Sequence, residues 1–221
     1  MFAPDRLRLA GRYADLLATE GVVRGLIGPR EGARLWERHL LNCAVLGELV
    51  PDGAEVCDVG SGAGLPGLVL AIVRPDVHVT LVEPLLRRTT FLQEVVDELD
   101  LTGVEVIRAR AEALHGDREF DLVTSRAVAP LGRLLSWSMP LVAPTGAMVA
   151  MKGASAADEV AAVEKELAQL GCAPPEVLTV GAGVADSPTT AIRVVWAEPA
   201  RVRLARAQPP SKKSTSRRPR G

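Results

Sequence analysis

An aspartate followed by three glycines at every second position, Asp58-Val59-Gly60-Ser61-Gly62-Ala63-Gly64, marks where this chain brings its backbone closest to a ligand. The run continues as Leu65-Pro66-Gly67, and a second acidic residue, Glu83, follows 19 residues beyond Gly64. Glycine removes the side chain that would keep a ligand off the backbone. A carboxylate at the end of the next strand can accept hydrogen bonds from both hydroxyls of a ribose. Together they describe a site for a nucleoside cofactor.

Two cofactor classes fit that description. Taken literally, Gly62-x-Gly64-x-x-Gly67 is a dinucleotide pattern, which would suit an NAD-type oxidoreductase. Two details point elsewhere. Asp58 stands two residues before an additional glycine, Gly60, and Pro66 lacks the N–H that a pyrophosphate would seek at a helix start. S-adenosylmethionine carries no phosphate. It asks for bare backbone beside its methionyl part, which Gly60, Gly62 and Gly64 supply, and for a ribose acceptor, which Glu83 supplies. The residues favour the methyl donor.

These residues need a scaffold, and the pattern from Ala54 onward provides one. Candidate strands are 55–59, 77–83, 104–109, 120–125, 146–152, 176–180 and 192–197. Helical runs fall at 66–73, 87–99, 131–142 and 155–170, with Pro144-Thr145-Gly146 reading as a helix-to-strand turn. Strand–helix alternation predicts a mostly parallel sheet covered by helices on both faces. Val56–Val59 and Val149–Met151 are nearly all apolar, as strands buried on both sides are. Binding residues then collect at the carboxyl ends of the strands. That rule nominates Gly60 to Leu65, Glu83, Arg110 to Glu112, Ser125-Arg126 and Lys152-Gly153. Residues 4–50 read as helical, divided at Gly28-Pro29. The expected division is a helical extension at 1–50, a cofactor-binding domain at 51–200, and a basic, disordered tail at 201–221.

Bulk properties narrow the class. The chain has 221 residues, is 48% hydrophobic, and carries a formal net charge of −1. That small value hides an asymmetry. Residues 201–221 hold eight basic residues and no acid, so the body carries −9 and the tail +8. Such a tail suits a polyanion partner, or serves only to solvate. Cys43, Cys57 and Cys172 match neither a disulfide framework nor a metal pattern, which fits a reducing cytoplasm. No signal peptide is evident. The uncharged stretch 134–151 is broken by Pro140, Pro144 and Gly146 and reads as core rather than a membrane span. A cytoplasmic monomer without metal or membrane partner is expected.

The chain resembles the bacterial small-subunit ribosomal RNA guanine-N7 methyltransferases, historically called glucose-inhibited division protein B. The residues carrying the likeness are Asp58 to Gly67, Arg38-His39-Leu40-Leu41, Arg110-Ala111-Glu112, Ser125-Arg126-Ala127 and Met151-Lys152-Gly153. It spans roughly residues 30–197. Asn42-Cys43 stands where the family usually shows Asp-Ser. The resemblance implies a Rossmann-like class I methyltransferase fold, with a seven-stranded mostly parallel sheet. It also implies S-adenosylmethionine as donor and N7 of a guanine in 16S ribosomal RNA, or in the small ribosomal subunit, as acceptor. A non-catalytic RNA-binding or assembly factor on the same fold is the remaining alternative.

The resemblance also implies roles for individual residues. Asp58, the three loop glycines, Leu65 and Glu83 would hold the donor, and Ala111 and Glu112 would read its adenine. Arg126 would contact the donor and approach the RNA. Arg38 and His39 would lie on a helix that closes over the site; a lone histidine on an apolar face is otherwise a hydrogen-bonded core residue. Lys152 would bind an RNA phosphate or donate to guanine O6, beside N7 on the same edge, unless it is simply solvated. Arg87 and Arg88 would contact RNA or shield nearby carboxylates. Cys57, mid-strand and apolar in setting, is a poor covalent nucleophile. Guanine N7 has an in-ring lone pair and no proton, so its methylation needs no general base.

Overall fold

The computed structural model describes residues 2–183 and 188–207. Seven strands form one sheet: β1 (Glu55–Val59), β2 (His78–Val82), β3 (Val104–Ile107), β4 (Phe120–Arg126), β5 (Val142–Lys152), β6 (Glu176–Val180) and β7 (Thr189–Val195). Their order is β3-β2-β1-β4-β5-β7-β6. The first five are parallel, while β7 runs antiparallel to both β5 and β6. The chain builds outward from β1 to β3, then returns to lay β4 on the other side of β1. That reversal opens a crevice above the carboxyl ends of β1 and β4.

Strand periodicity explains how one sheet holds two cores. Successive side chains point to opposite faces. Val56 joins the cluster built around Tyr13, Leu68, Leu81 and Phe91. Its neighbour Cys57 joins the opposite cluster, with Phe120, Leu134, Met139 and Val194. The first face is covered by α1 (Pro4–Leu16), α3 (Gly67–Val73) and α4 (Leu86–Glu98). The second is covered by α5 (Leu131–Ser138), α6 (Ala156–Ala161) and α7 (Glu164–Leu170).

The N-terminal segment is helical as expected, but not as two regular helices. α1 runs into a widened π-type turn, Leu17–Gly21. After Gly28-Pro29 the chain resumes as a 3-10 turn (Gly32–Arg34), a second π-type stretch (Leu35–Leu41), α2 (Asn42–Ala44) and a 3-10 turn (Val45–Leu49). Tyr13, Leu17, Leu35, Leu40 and Cys43 are all buried against the sheet side.

Several boundaries differ from the sequence reading. The helix expected to reach Val142 ends at Ser138, and β5 already begins at Val142. Pro144-Thr145-Gly146 is therefore not a helix-to-strand turn. It lies in an irregularity of β5, where Phe120 pairs Val142 but Leu122 pairs Ala147. A bulge tolerates the proline because no ladder N–H is needed there. The helix expected over 155–170 is split, because Val163 leaves helical geometry (φ −120, ψ 17) and buries its side chain. The last strand ends at Val195 rather than Ala197, leaving Trp196 to donate its indole N–H to the Val142 carbonyl at 3.1 Å. A final helix, α8 (Pro199–Ala207), continues into residues assigned above to a disordered tail, and 208–221 lie outside the described residues. Among the described residues, no helix is long and apolar enough to cross a membrane.

Candidate functional site

Above the crevice lies a cleft of about 660 Å³. Its floor is the loop after β1, where Gly60, Gly62 and Gly64 take φ values of +72, +59 and +98. Side-chain-bearing residues rarely adopt such angles, so the glycine spacing is what allows the turn. Gly64 is needed for a second reason. A Cβ there would stand 2.3 Å from Leu68 Cδ1 and 2.9 Å from the Tyr13 hydroxyl. That hydroxyl donates to the Ala63 carbonyl at 2.7 Å, so the buried α1 helix braces the loop from below.

The loop binds its own backbone donors to the protein. Gly60 N donates to Val82 O at 2.8 Å, Gly64 N to Ser61 O at 2.7 Å, and Leu65 N to the same carbonyl at 3.2 Å. Leu68 N donates to Gly64 O at 2.8 Å. Gly67 N, the first N–H of α3, donates to Asp58 Oδ2 at 3.0 Å, and Pro66 has none. A pyrophosphate site needs these groups aimed at the ligand. They are turned inward, so the dinucleotide reading finds no cradle for its phosphates, whereas a phosphate-free nucleoside meets no such requirement.

Glu83 is held in the cleft, where the sequence reading places a carboxylate. It is 1% exposed and lines the cleft. Its Oε2 accepts from Gly62 N at 3.1 Å and from Arg88 Nη1 at 3.2 Å, and its Oε1 accepts from Leu85 N at 3.0 Å. A carboxylate has about four acceptor positions, so this one is fixed in orientation and keeps capacity for a ligand hydroxyl. Arg88 thus acts on Glu83, the shielding role among the two expected for it. Ala111 and Glu112 line the cleft beside Ala109 and Arg110, on a 3-10 turn (Ala111–Leu114) after β3. They sit on the far side of Glu83 from Arg126, in the order β3-β2-β1-β4.

The structure gathers most of the sequence-nominated residues and relocates four. Gly60, Gly62, Leu65, Glu83, Ala111, Glu112, Arg126 and His39 all line the cleft. Asp58 does not. It is fully buried beneath the loop, where burial pushes its carboxyl up to about 7 despite the Gly67 N–H. It shapes the turn from behind rather than touching a ligand. Gly64 likewise sits behind the wall, for the packing reason given above. Lys152 is held away from the cleft, with Nζ 2.7 Å from Glu159 Oε2 and 2.9 Å from the Ala129 carbonyl. It ties β5 to α6 instead of presenting a cation to guanine or phosphate. Arg38 is largely exposed, 3.5 Å from Glu31 Oε1, and forms no part of the cleft wall.

His39 has two partners. Nε2 lies 2.8 Å from Glu31 Oε2, and Nδ1 meets an Arg126 Nη2. Arg126 Nη1 donates to Cys43 Sγ at 3.2 Å. Burial, then the nearby Arg126, push His39 below its usual value, and burial pushes the Cys43 thiol up to about 11. Sequence reasoning missed Glu31, Trp137 and Val128, which also line the cleft. Glu31 and Val128 carry no motif. Tyr13, the one tyrosine in the chain, offered a faint signal, since a hydroxyl on an apolar helix face must find a partner. Among the described residues, no group of three or more His, Cys, Asp or Glu could hold a metal ion.

Comparison with known proteins agrees with this geometry. The sequence model of the rRNA small subunit methyltransferase G family matches residues 6–186. A Ribosomal RNA small subunit methyltransferase G from Nocardioides sp. is 66% identical over 218 residues, covering 99% of this chain and 87% of the relative. One of the same name from Streptomyces avermitilis is 57% identical over 203 residues, covering 91% and 85%. Among solved structures, a SAM-dependent O-methyltransferase from Thermotoga maritima superposes with a TM-score of 0.55 at 14% identity, over 71% of this chain and 65% of its own, a likeness of fold. On the family match across most of its length, and on two relatives of that name, this chain belongs to the rRNA small subunit methyltransferase G family.

Proposed function

We propose that this chain transfers a methyl group from S-adenosylmethionine to N7 of a specific guanine in the 16S RNA of the small ribosomal subunit, in the cytoplasm. The observation that carries the cofactor is the floor of the cleft. Its N–H groups are committed inward, while a buried, pre-oriented Glu83 faces the ligand. Gly60, Gly62 and Leu65 would lie along the donor, Glu83 would accept from its ribose, and the Ala111–Glu112 turn would border its adenine. When bound, the donor supplies an electrophilic methyl group on a sulfonium. The protein's part is to hold the acceptor nitrogen in line, about 3–3.5 Å from that carbon.

The acidic and basic side chains of the cleft support a nitrogen that needs no deprotonation. Glu83 is engaged by two backbone N–H groups and Arg88. His39 is engaged by Glu31 and Arg126, and Glu31 also by Arg38. Guanine N7 already presents its lone pair.

The test is to incubate the protein with radiolabelled donor and small subunits lacking the modification, then map the labelled base. Label at N7 of one guanine is the expected result. Unlabelled RNA with intact donor binding would favour the assembly-factor alternative, and label on another base atom would overturn the N7 assignment.

A further inference from the structure

Arg126 stands half-buried in the cleft, yet its hydrogen-bond partners are a thiol and an imidazole rather than a carboxylate. The proton positions follow from the partners. A guanidinium nitrogen is a donor only, so His39 Nδ1 must be the acceptor. Nε2 then carries the hydrogen and donates to Glu31 Oε2, 2.8 Å away. Glu31 lies on the segment after Gly28-Pro29 that forms one wall of the cleft, and His39 sits in the widened turn of Leu35–Leu41. A carboxylate would hold the guanidinium just as firmly but would cancel its charge. Neutral acceptors fix its geometry and leave the charge for a ligand.

We propose that His39 is a positioning residue: Glu31 selects its Nε2–H tautomer, and Nδ1 then anchors Arg126 in the cleft with no carboxylate bonded to the guanidinium. This rests on the methyl-transfer reading above. It gives His39 a role beyond the expectation that its helix closes over the site. The charged groups acting on His39 are Arg126 from β4, Glu31 from the preceding segment, and Arg38 on its own helical stretch. Cys43 from α2, Tyr13 from α1 and Asp58 from β1 act electrostatically with Arg126. Protonating His39 removes the only lone pair that Arg126 uses on it, and adds a second cation beside the first. Since burial and Arg126 both lower its affinity for a proton, that loss falls below pH 6.5.

The test combines methylation rates on small subunits, across pH, with nitrogen NMR of the histidine ring. His39→Ala is expected to lower kcat by about tenfold or more. His39→Asn places an amide oxygen near the former Nδ1 and cannot titrate. It is expected to recover most of kcat and to lose the acid limb of the wild-type profile. In the NMR spectrum, assigned by difference from His39→Asn, the ring should show a protonated Nε2 and a bare Nδ1. Arg126→Ala should move its titration midpoint upward. A bare Nε2, or a midpoint unmoved in Arg126→Ala, would overturn the proposal even if no RNA is labelled. So would an acid limb persisting unchanged in His39→Asn. Absence of label in wild type with the predicted NMR result would instead count against the methyl-transfer reading alone.

Discussion

At the scale of single residues, Asp58 shows how far a motif position can be from the role its motif suggests. It heads the glycine run, yet its side chain faces inward, accepting from Gly67 N with Oδ2 while Oδ1 has no hydrogen-bond partner among the described residues. Removal from water disfavours the charged form, which is why its carboxyl is pushed up to about 7. Unfolded, the same group titrates near 3.8. Between those values the native state holds a proton that the unfolded chain has released, so this group makes stability fall as pH rises through that window. Asp58→Asn keeps an acceptor for Gly67 and cannot ionise. Its urea midpoint should rise relative to wild type between about pH 4 and 7, then stay ahead at a constant margin. A difference that does not change with pH would show that Asp58 is not the protonated group. Lys152 teaches the converse: a lysine at a strand end faces the cleft by rule, but a carboxylate within reach on α6 draws it aside.

At the scale of elements, α3 packs closely against β1 and β2 behind the site. A Cβ on Gly67 would lie 2.3 Å from Leu81 Cδ2 and 2.7 Å from Asp58 Oδ2. Gly67→Ala should therefore destabilise the protein by about 1–3 kcal/mol, the cost of overpacking a closed core. Gly11 offers the contrasting case. It lies inside α1 and a Cβ there meets nothing within 4 Å. Gly11→Ala should stabilise by about 0.5–1 kcal/mol through helix propensity. Denaturant unfolding of both variants checks the pair, and equal effects would contradict the packing described for α3. The strand and helix order was legible because apolar runs and glycine turns are local signals. The bulge at Pro144 to Gly146 was not. A proline and a glycine mark both turns and bulges, and only the offset between Phe120–Val142 and Leu122–Ala147 separates them.

For the whole molecule, basic side chains collect past the ends of two strands. Arg87, Arg108 and Arg110 stand past the ends of β2 and β3, exposed and without an ion pair among the described residues. An acidic body can in this way still offer a polyanion a cationic approach to its cleft. Arg87→Glu and Arg110→Glu should each weaken RNA association and shallow its salt dependence by about one phosphate contact. Filter binding across salt concentrations measures this, and an unchanged slope would remove these arginines from the interface. The sequence by itself determined the sheet, the glycine turn, the carboxylate Glu83 that lines the cleft and the family, because each is written in neighbouring residues or in a fixed spacing. Tertiary structure alone decided which nominated residues reach the cleft. It turned Asp58 inward, tied Lys152 to Glu159, and set Glu31, His39 and Arg126 in line. Partners 87 positions apart, such as His39 and Arg126, leave no periodic or local trace. Only the folded packing of the N-terminal turns against β4 brings them together.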